Sequence, residues 1–205
     1  MSGWSSDKTW REECGIFAAI GVPNAAEVVC LGLHALQHRG QEATGLVSCD
    51  ARGQFHGHRG VGLVSEVYDD GILAQLPGEI AIGHNRYSTT GSLKLENTQP
   101  LRVVYRGGPL ALAHNGNLVN ARELRGALES AGSIFQTTLD TEVILHLMAL
   151  ARGEDPEESL VEAAGQVQGA YSLLVMTPGA VFAMRDPHGF RPLCIGRLGD
   201  GYVVA

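Results

Sequence analysis

The sequence predicts an α+β fold in which helices pack outside antiparallel sheets. Its 205 residues are 44% hydrophobic and 18% charged, so the chain can bury a substantial core as one domain. Many of its 27 glycines fall in short turns between apolar segments, which is typical of strand-rich folds. The apolar patterns come in the order strand, helix, strands, helices, strands, and this order does not fit a regular βαβ alternation.

The first half of the chain predicts one buried strand, one helix and four further strands. The buried strand is the apolar run that begins at Cys14 and is bounded by Gly21. Asn24 predicts the cap of a helix over residues 25–38, which Gly40 ends. Strand patterns then follow over residues 44–49, 54–58, 62–67 and 80–87.

The second half predicts three helices and then a strand meander. Asn120, with Glu123 three residues later, predicts a capped helix that ends near Gly132. Asp140 begins a second helix, and Asp155 caps a third, which has Pro156 in its first turn and Glu158 at the capping-box position. The second helix directs four apolar residues toward the core: Ile144, Leu145, Met148 and Ala149. The strands are predicted over residues 171–176, 180–184, 193–196 and from 202 onward.

Composition excludes two classes of partner. A formal net charge of -7 and a pI near 5.6, without any basic block, argue against a nucleic-acid-binding surface. No apolar run has the length of a membrane span, and the N-terminus lacks the apolar core of a secretory signal. We therefore expect a cytoplasmic protein with neither nucleic-acid nor membrane partners.

The cysteines and histidines predict no metal site in this chain. Four cysteines are widely spaced without a CxxC pair, so neither a zinc site nor a disulfide framework is indicated. His56 and His58 alternate along a strand, but two ligands without a third at matching spacing are more typical of a solvated strand. Three cysteines are interpreted as small buried hydrophobic residues: Cys30, Cys49 and Cys194.

Cys14 is the candidate nucleophile. An unpaired cysteine in an apolar context is often an inert core residue, but Cys14 begins its strand and follows a short polar leader. Removal of that leader would give the thiol a neighbouring α-amine. Such an amine titrates near pH ~8 and a thiol near ~8.5, so the amine is a suitable base.

Asn115 and Gly116 are the candidate oxyanion donors. Attack of a thiol on a carboxamide produces a tetrahedral oxyanion, which must be met by donors already in place. We expect both residues in a turn after the apolar run 110–113, where the Asn115 amide and the Gly116 N–H can converge on one oxygen. The alternative is an ordinary Asn-Gly hairpin turn.

Arg86 and Asp140 are candidates for binding a free amino acid. A guanidinium at the end of a strand can hold an α-carboxylate through two hydrogen bonds, and a carboxylate at a helix start can bind an α-ammonium group. The alternatives are a surface ion pair for Arg86 and a simple helix N-terminal charge for Asp140.

The motifs together resemble one known family. They are, in order, CGIF from Cys14, LQHRGQEATG from Leu36, GHNRYSTTG from Gly83, AHNGNL from Ala113, TLDTE from Thr138 and RDPHGFRPL from Arg185. This series closely resembles the amidophosphoribosyltransferases, which are class II (N-terminal-nucleophile) glutamine amidotransferases. The resemblance extends from Cys14 to the end of the chain, and the QHRGQE form is the part that favours this family within the class.

The resemblance implies a four-layer αββα sandwich of two antiparallel sheets and a glutaminase that forms a cysteinyl thioester. Residues 1–13 would be a propeptide, and residues 14–205 the glutaminase domain. Cys14 would be the nucleophile and, through its freed amine, the base. The oxyanion hole would be Asn115 and Gly116, and the groups that hold glutamine would be Arg86, Tyr87, Thr89 and Asp140. Arg39 and Gly40 would support the nucleophile strand.

The resemblance also implies a larger parent enzyme. Since the last apolar stretch stops at Ala205, we expect this chain to be part of a longer protein whose phosphoribosyltransferase domain is missing here. That domain would use Mg²⁺ and the ammonia from L-glutamine to make 5-phosphoribosylamine from phosphoribosyl pyrophosphate, the first step of purine synthesis. The parent would be a homo-oligomer, and some relatives with a propeptide carry a 4Fe-4S cluster. No cofactor is expected in this chain.

Two other functions are consistent with the same residues. A glutaminase domain of the hexosamine-phosphate synthase or glutamate synthase type would share Cys14, Arg86, Asn115 and Asp140 but deliver ammonia elsewhere. A degenerate domain that binds glutamine without turnover would lack a catalytic element, whereas every element is found in this sequence.

Overall fold

Two antiparallel sheets form the centre of the structure. The computed structural model describes residues 14–87 and 95–205. In that part of the chain, one sheet has six strands in the order β3-β2-β4-β1-β10-β9, and the other has four in the order β5-β6-β7-β8. The strands are β1 Gly15–Ile20, β2 Ala43–Cys49, β3 Phe55–Val61, β4 Ile80–Arg86, β5 Leu101–Tyr105, β6 Gly108–Leu118, β7 Gly169–Met176, β8 Val181–Arg185, β9 Ile195–Leu198 and β10 Gly201–Val204.

Helices cover the outer face of each sheet. The helices are α1 Ala25–Ala35, α2 Val64–Val67, α3 Asp70–Leu73, α4 Ala121–Ser130, α5 Thr141–Leu150 and α6 Pro156–Ala164. Helix α1 packs on β1, β2 and β4 of the six-stranded sheet. Helix α5 packs on β5 and β6 of the four-stranded sheet and also contacts α4 and α6. None of the helices that the structure describes has the length and apolar character needed to cross a bilayer.

Three apolar clusters separate the four layers. One lies between α1 and the six-stranded sheet, where Val29 and Leu33 meet Leu46. A second lies between α5 and the four-stranded sheet. The third fills the space between the sheets, where Ile16 of β1 shares a cluster with Ala113 of β6. The inner strands, β1, β2, β4, β6 and β7, therefore bury both faces. The expected four-layer αββα sandwich is confirmed.

One predicted strand is a helix. Residues 62–67 include α2, in which Val64 and Val67 are buried at a spacing of three, while Glu66 accepts the backbone N–H of Leu63 at 2.8 Å. This spacing turns both valines to one side of a helical turn, so the prediction of a strand was wrong.

Two predicted helix caps are also wrong in detail. Asn24 adopts a left-handed conformation (φ 53°) and its side chain makes no cap hydrogen bond; α1 ends at Ala35, before a short 3-10 turn over Gln37–Arg39. The Asn120 side chain bonds to the backbone of residues 166 and 168 and makes no cap hydrogen bond. Asp155 does cap α6, accepting the N–H of Glu158 at 2.8 Å.

The remaining differences concern exposure and pairing. Ala149 is exposed, because Leu147 and Met148 occupy the core-facing positions of that turn. Cys49 is buried as expected and Cys30 partly so, but Cys194 is exposed just before β9. The predicted C-terminal meander is divided between the sheets, since β7 and β8 pair with each other and β10 pairs with β1.

Candidate active site

Cys14 lies directly before β1, at the end of the six-stranded sheet. Its φ of 35° is uncommon for a residue with a side chain. The thiol donates to the carbonyl oxygen of Tyr87 at 3.7 Å, and Arg39 Nε donates to the carbonyl oxygen of Cys14 at 3.0 Å. The side chain of Arg39 thus supports the backbone of the candidate nucleophile, as the resemblance implied.

The environment of Cys14 keeps its thiol protonated. Burial raises the pKa of the Cys14 thiol, and the carboxylate of Asp140 adds to the increase. The hydrogen bond to Tyr87 and the positive charges of Arg86 and Arg39 act in the opposite direction but do not cancel the effect of burial. A base is therefore needed to generate the thiolate near neutral pH.

Arg86 is the last residue of β4 and is buried, with 7% of its surface exposed. Its Nη1 has no hydrogen-bond partner within the described ranges. Gly40 packs against its backbone so closely that a Cβ on Gly40 would lie 2.8 Å from the Arg86 carbonyl carbon. The surface ion pair considered for Arg86 is therefore wrong, and the buried guanidinium has donors to offer an anionic ligand.

Asp140 caps α5 and remains ionised. It accepts the N–H of Thr141 at 2.8 Å through Oδ1 and that of Leu118 at 2.9 Å through Oδ2. Burial acts to raise the pKa of Asp140, but His114 and these two N–H groups together hold it below its ordinary value. The charge of Asp140 also acts on the Cys14 thiol, whose pKa it raises.

Asn115 and Gly116 lie inside a strand, and the prediction that they form a turn was wrong. Strand β6 continues through both residues to Leu118, with Gly116 opposite Tyr171 of β7. The φ of Gly116 is 147°, and a Cβ there would lie 2.1 Å from the carbonyl oxygen of Ala170. Asn115 is 3% exposed, and its Oδ1 has no partner within the described ranges.

Strand pairing across the sheets brings these residues to one end of the sandwich. Ile16, two residues after Cys14, pairs with His84 in β4. His84 Nε2 lies 3.2 Å from the carbonyl oxygen of His114 in β6, immediately before Asn115. The start of β1 and the second half of β6 are thereby tied to β4, although they belong to different sheets.

Two elements of the predicted site lie outside the described residues: the propeptide (residues 1–13) and Thr89. Tyr87 is described and contributes its carbonyl oxygen to the Cys14 thiol. A cleft of about 450 Å³ lies elsewhere, lined by parts of β3, β5 and α5, and none of the candidate site residues lines it.

The structure adds three buried polar residues that the sequence alone did not single out. Asp186 accepts the N–H groups of His188 at 2.9 Å and Phe190 at 3.1 Å, and so fixes the turn after β8. Glu142 accepts the N–H groups of residues 136 and 137, each at 2.7 Å, just before Asp140. His114 lies beside Asp140. All three residues lie within the family motifs, and this membership is the sequence feature that could have identified them.

Known proteins share this sequence and this fold. A profile described as the glutamine amidotransferase domain matches residues 84–205. An amidophosphoribosyltransferase of Lacticaseibacillus casei is 47% identical over 92% of this chain and 97% of its own length. The chain belongs to the amidophosphoribosyltransferase family of glutamine amidotransferases. The resemblance found in the motifs is thereby confirmed.

Longer members of the family are similar over the same region. Chloroplastic amidophosphoribosyltransferase 1 of Arabidopsis thaliana is 50% identical over 97% of this chain, which corresponds to 35% of its own length. The structure of glutamine phosphoribosylpyrophosphate amidotransferase from B. subtilis, complexed with ADP and GMP, superposes with a TM-score of 0.87 at 44% identity, over 92% of this chain and 41% of that one. This chain therefore spans well under half the length of these two relatives.

Proposed function

We propose that this chain hydrolyses L-glutamine to glutamate and ammonia through a thioester on Cys14. The observation that carries the proposal is the position of the Cys14 thiol, which lies 3.7 Å from the carbonyl oxygen of Tyr87, directly after the buried Arg86. The charges of Arg86 and of the Asp140 carboxylate both act on this thiol. The cation can pair with the α-carboxylate of a free amino acid and the anion with its α-ammonium group. The thiol is then available to attack the side chain of that amino acid.

The substrate is held by its backbone groups. Arg86, together with Tyr87 and Thr89 of the same motif, binds the α-carboxylate. The Arg86 Nη1 has no hydrogen-bond partner among the described residues, which supports this role. Asp140 binds the α-ammonium group, for which its lowered pKa is suited because the carboxylate stays charged. Two fixed charges select an amino acid over a simple amide, while the side-chain carboxamide is left to reach Cys14.

The chemistry then follows from the thiol and the oxyanion donors. The thiolate sulfur of Cys14 attacks the carboxamide carbon, and the resulting oxyanion is met by the Asn115 amide and the Gly116 N–H. Collapse expels ammonia, which takes up the proton that the sulfur lost, and leaves a γ-glutamyl thioester. Water adds to the thioester carbon, and glutamate departs with regeneration of the thiol.

The base is the α-amine that removal of residues 1–13 would expose on Cys14. The raised pKa of the thiol supports a requirement for such a base, since burial disfavours the thiolate. While the leader remains attached, the Cys14 nitrogen is an amide and cannot accept a proton. The unprocessed chain is then an inactive precursor.

In the parent enzyme, the ammonia displaces pyrophosphate from phosphoribosyl pyrophosphate in a second domain. The names of the relatives support this assignment. We place that step, its Mg²⁺ and any 4Fe-4S cluster outside this chain, in a cytoplasmic homo-oligomer. Within residues 14–87 and 95–205, no three His, Cys, Asp or Glu residues are grouped as a metal site would require, and no step proposed for this chain passes through a metal.

Mass spectrometry combined with an ammonia assay tests the proposal. We expect intact mass to show Cys14 as the first residue of active protein, and an electrophilic glutamine analogue, 6-diazo-5-oxo-L-norleucine, to label Cys14 alone. Cys14→Ala should abolish ammonia release without loss of the fold, while Cys194→Ala, at an exposed cysteine, should retain it. Full activity in unprocessed protein would refute the amine as base, and activity in Cys14→Ala would refute the nucleophile.

A further inference from the structure

The imidazole of His114 is directed at the group proposed to bind the α-ammonium of glutamine. Its Nδ1 lies 3.0 Å from Thr141 Oγ1 and 3.5 Å from Asp140 Oδ1. Thr141 Oγ1 in turn lies 3.4 Å from the same carboxylate oxygen. The His114 side chain is 1% exposed and that of Asp140 is 24% exposed, so the histidine supports the carboxylate from the buried side.

The rest of His114 is held firmly by neighbouring strands and loops. Its N–H donates to Gln99 Oε1 at 2.7 Å, and its carbonyl oxygen lies 3.2 Å from His84 Nε2. The imidazole Nε2 is buried and has no partner in the part of the chain that the structure describes. If the proton is on Nδ1, the ring donates one hydrogen bond to the Thr141 hydroxyl oxygen. The unprotonated Nε2, an acceptor, is then the ring atom left without a partner.

Packing alone does not account for a histidine at this position. His114 follows Leu110 and Leu112 on the face of β6 that packs against α5, and both leucines are fully buried. A leucine would fill such a position without the cost of burying polar nitrogen atoms. The polar contact with Thr141 and Asp140 is what distinguishes His114 from its apolar neighbours.

We infer that His114 is a positioning residue that holds the Thr141 hydroxyl and the Asp140 carboxylate in place for the α-ammonium group of the substrate. The inference rests on the proposed glutaminase function. A carboxylate offers about four lone-pair sites. Two of those on Asp140 accept backbone N–H groups, and the Thr141 hydroxyl takes a third when its own oxygen is held by His114. The remaining site is then directed at the ligand.

A pair of substrates separates this role from a general structural one. Glutaramate is glutamine without its α-amino group, so it makes no use of the Asp140 carboxylate. Processed protein is assayed for ammonia release from both amides, as wild type and as His114→Leu, His114→Asn and Asp140→Asn. The amide nitrogen of Asn can take the place of Nδ1. His84→Leu is the matched control, because it removes a second buried histidine whose Nε2 lies against the His114 carbonyl oxygen and not beside Thr141 and Asp140.

We expect His114→Leu to lower kcat/KM for glutamine roughly fivefold to tenfold, mainly through KM, while kcat/KM for glutaramate changes less than about twofold. His114→Asn should restore most of the loss, and Asp140→Asn should remove the preference for glutamine. His84→Leu should affect both substrates by the same factor.

Equal losses on the two amides in His114→Leu, or an Asn variant as impaired as the Leu variant, would overturn the inference while leaving the proposed function intact. If processed wild-type protein released no ammonia from either amide, the proposed function itself would fail, and the inference with it. Circular dichroism and thermal unfolding of each variant identify any that do not fold. In that event the His114→Asn result decides the question, because this variant keeps a hydrogen-bond donor near the position of Nδ1.

Discussion

Gly116→Ala should impair catalysis far more than the addition of a single methyl group suggests. The added Cβ would lie 2.1 Å from the carbonyl oxygen of Ala170, where a carbon–oxygen contact normally needs about 3.3 Å, so the strands must separate by roughly 1 Å. Backbone displacement of this kind costs about 1–3 kcal/mol. The φ of 147° lies in a region that only glycine adopts readily, and it adds about 1–3 kcal/mol for a residue with a side chain. We therefore expect a loss of roughly 2–6 kcal/mol in the free energy of unfolding.

The same displacement would move the proposed oxyanion donor. Loss of one such donor typically lowers kcat about 10²–10³-fold, and we expect Gly116→Ala to fall in this range. Denaturant unfolding gives the stability, and ammonia release from folded protein gives kcat. Gly108→Ala is the control, because Gly108 also has a positive φ (98°) in β6 but has open space around its Cβ position. A stable Gly116→Ala protein with near wild-type kcat would refute both the steric argument and the donor assignment.

Three further predictions concern other residues of the site and its surroundings. Arg86→Lys keeps the charge but loses the planar fork, so we expect the KM for glutamine to rise at least tenfold, or about 1.4 kcal/mol, in steady-state assays. In unprocessed protein, burial raises the pKa of the Cys14 thiol, so the midpoint of its iodoacetamide alkylation rate should lie above that of a free cysteine; a midpoint at or below it would contradict this. Burial acts to raise the pKa of Asp186, but the backbone N–H groups of residues 190, 188, 171 and 191 together lower it in the folded state. The stabilisation by this carboxylate is complete above about pH 4 and disappears as the pH falls through the folded pKa. The stability difference between wild type and Asp186→Asn, from urea unfolding, should therefore shrink below pH ~4, and a constant difference would exclude this linkage.

Much of the fold follows from local pattern. The apolar run after Cys14, the alternation over residues 44–49 and the capped helix that begins after Asp155 all appear where the sequence predicts them. In each case, the burial preference of the side chains and the local backbone preference agree. Strand β5, Leu101–Tyr105, was missed although it alternates between inward and outward residues, because it is short and directly precedes another apolar run.

The error at residues 114–117 has a specific physical cause. An Asn-Gly pair favours a turn when only its neighbours in sequence are considered. Here Gly116 faces Tyr171, more than fifty residues away in sequence, and its lack of a side chain allows β7 to approach. The glycine is required for the close approach of two strands, and no local pattern distinguishes that requirement from a turn.

The identities of the candidate site residues could be predicted, but their electrostatic setting could not. The motifs identified Cys14, Arg86 and Asp140 separately, whereas the burial of Arg86 and the effect of Asp140 on the Cys14 thiol depend on how the strands and α5 pack together. His114 was part of a motif, yet its contact with Asp140 depends on how α5 packs against β6. Contacts of this kind require the tertiary structure.

Because the site is divided between two sheets, its catalytic rate depends on the packing of the apolar core between those sheets. Cys14 directly precedes β1 of the six-stranded sheet and Arg86 ends β4 of the same sheet, while Asn115 and Gly116 belong to the four-stranded one. The two halves keep their spacing because the apolar cluster that contains Ile16 is closely packed and because His84 of one sheet contacts the carbonyl oxygen of His114 in the other. A shift of 1 Å at a reacting group can reduce a rate about 100-fold, so imperfect packing in this layer would reduce turnover before it unfolded the protein. The mutual placement of nucleophile and oxyanion donors is thus a property of the sandwich as a whole.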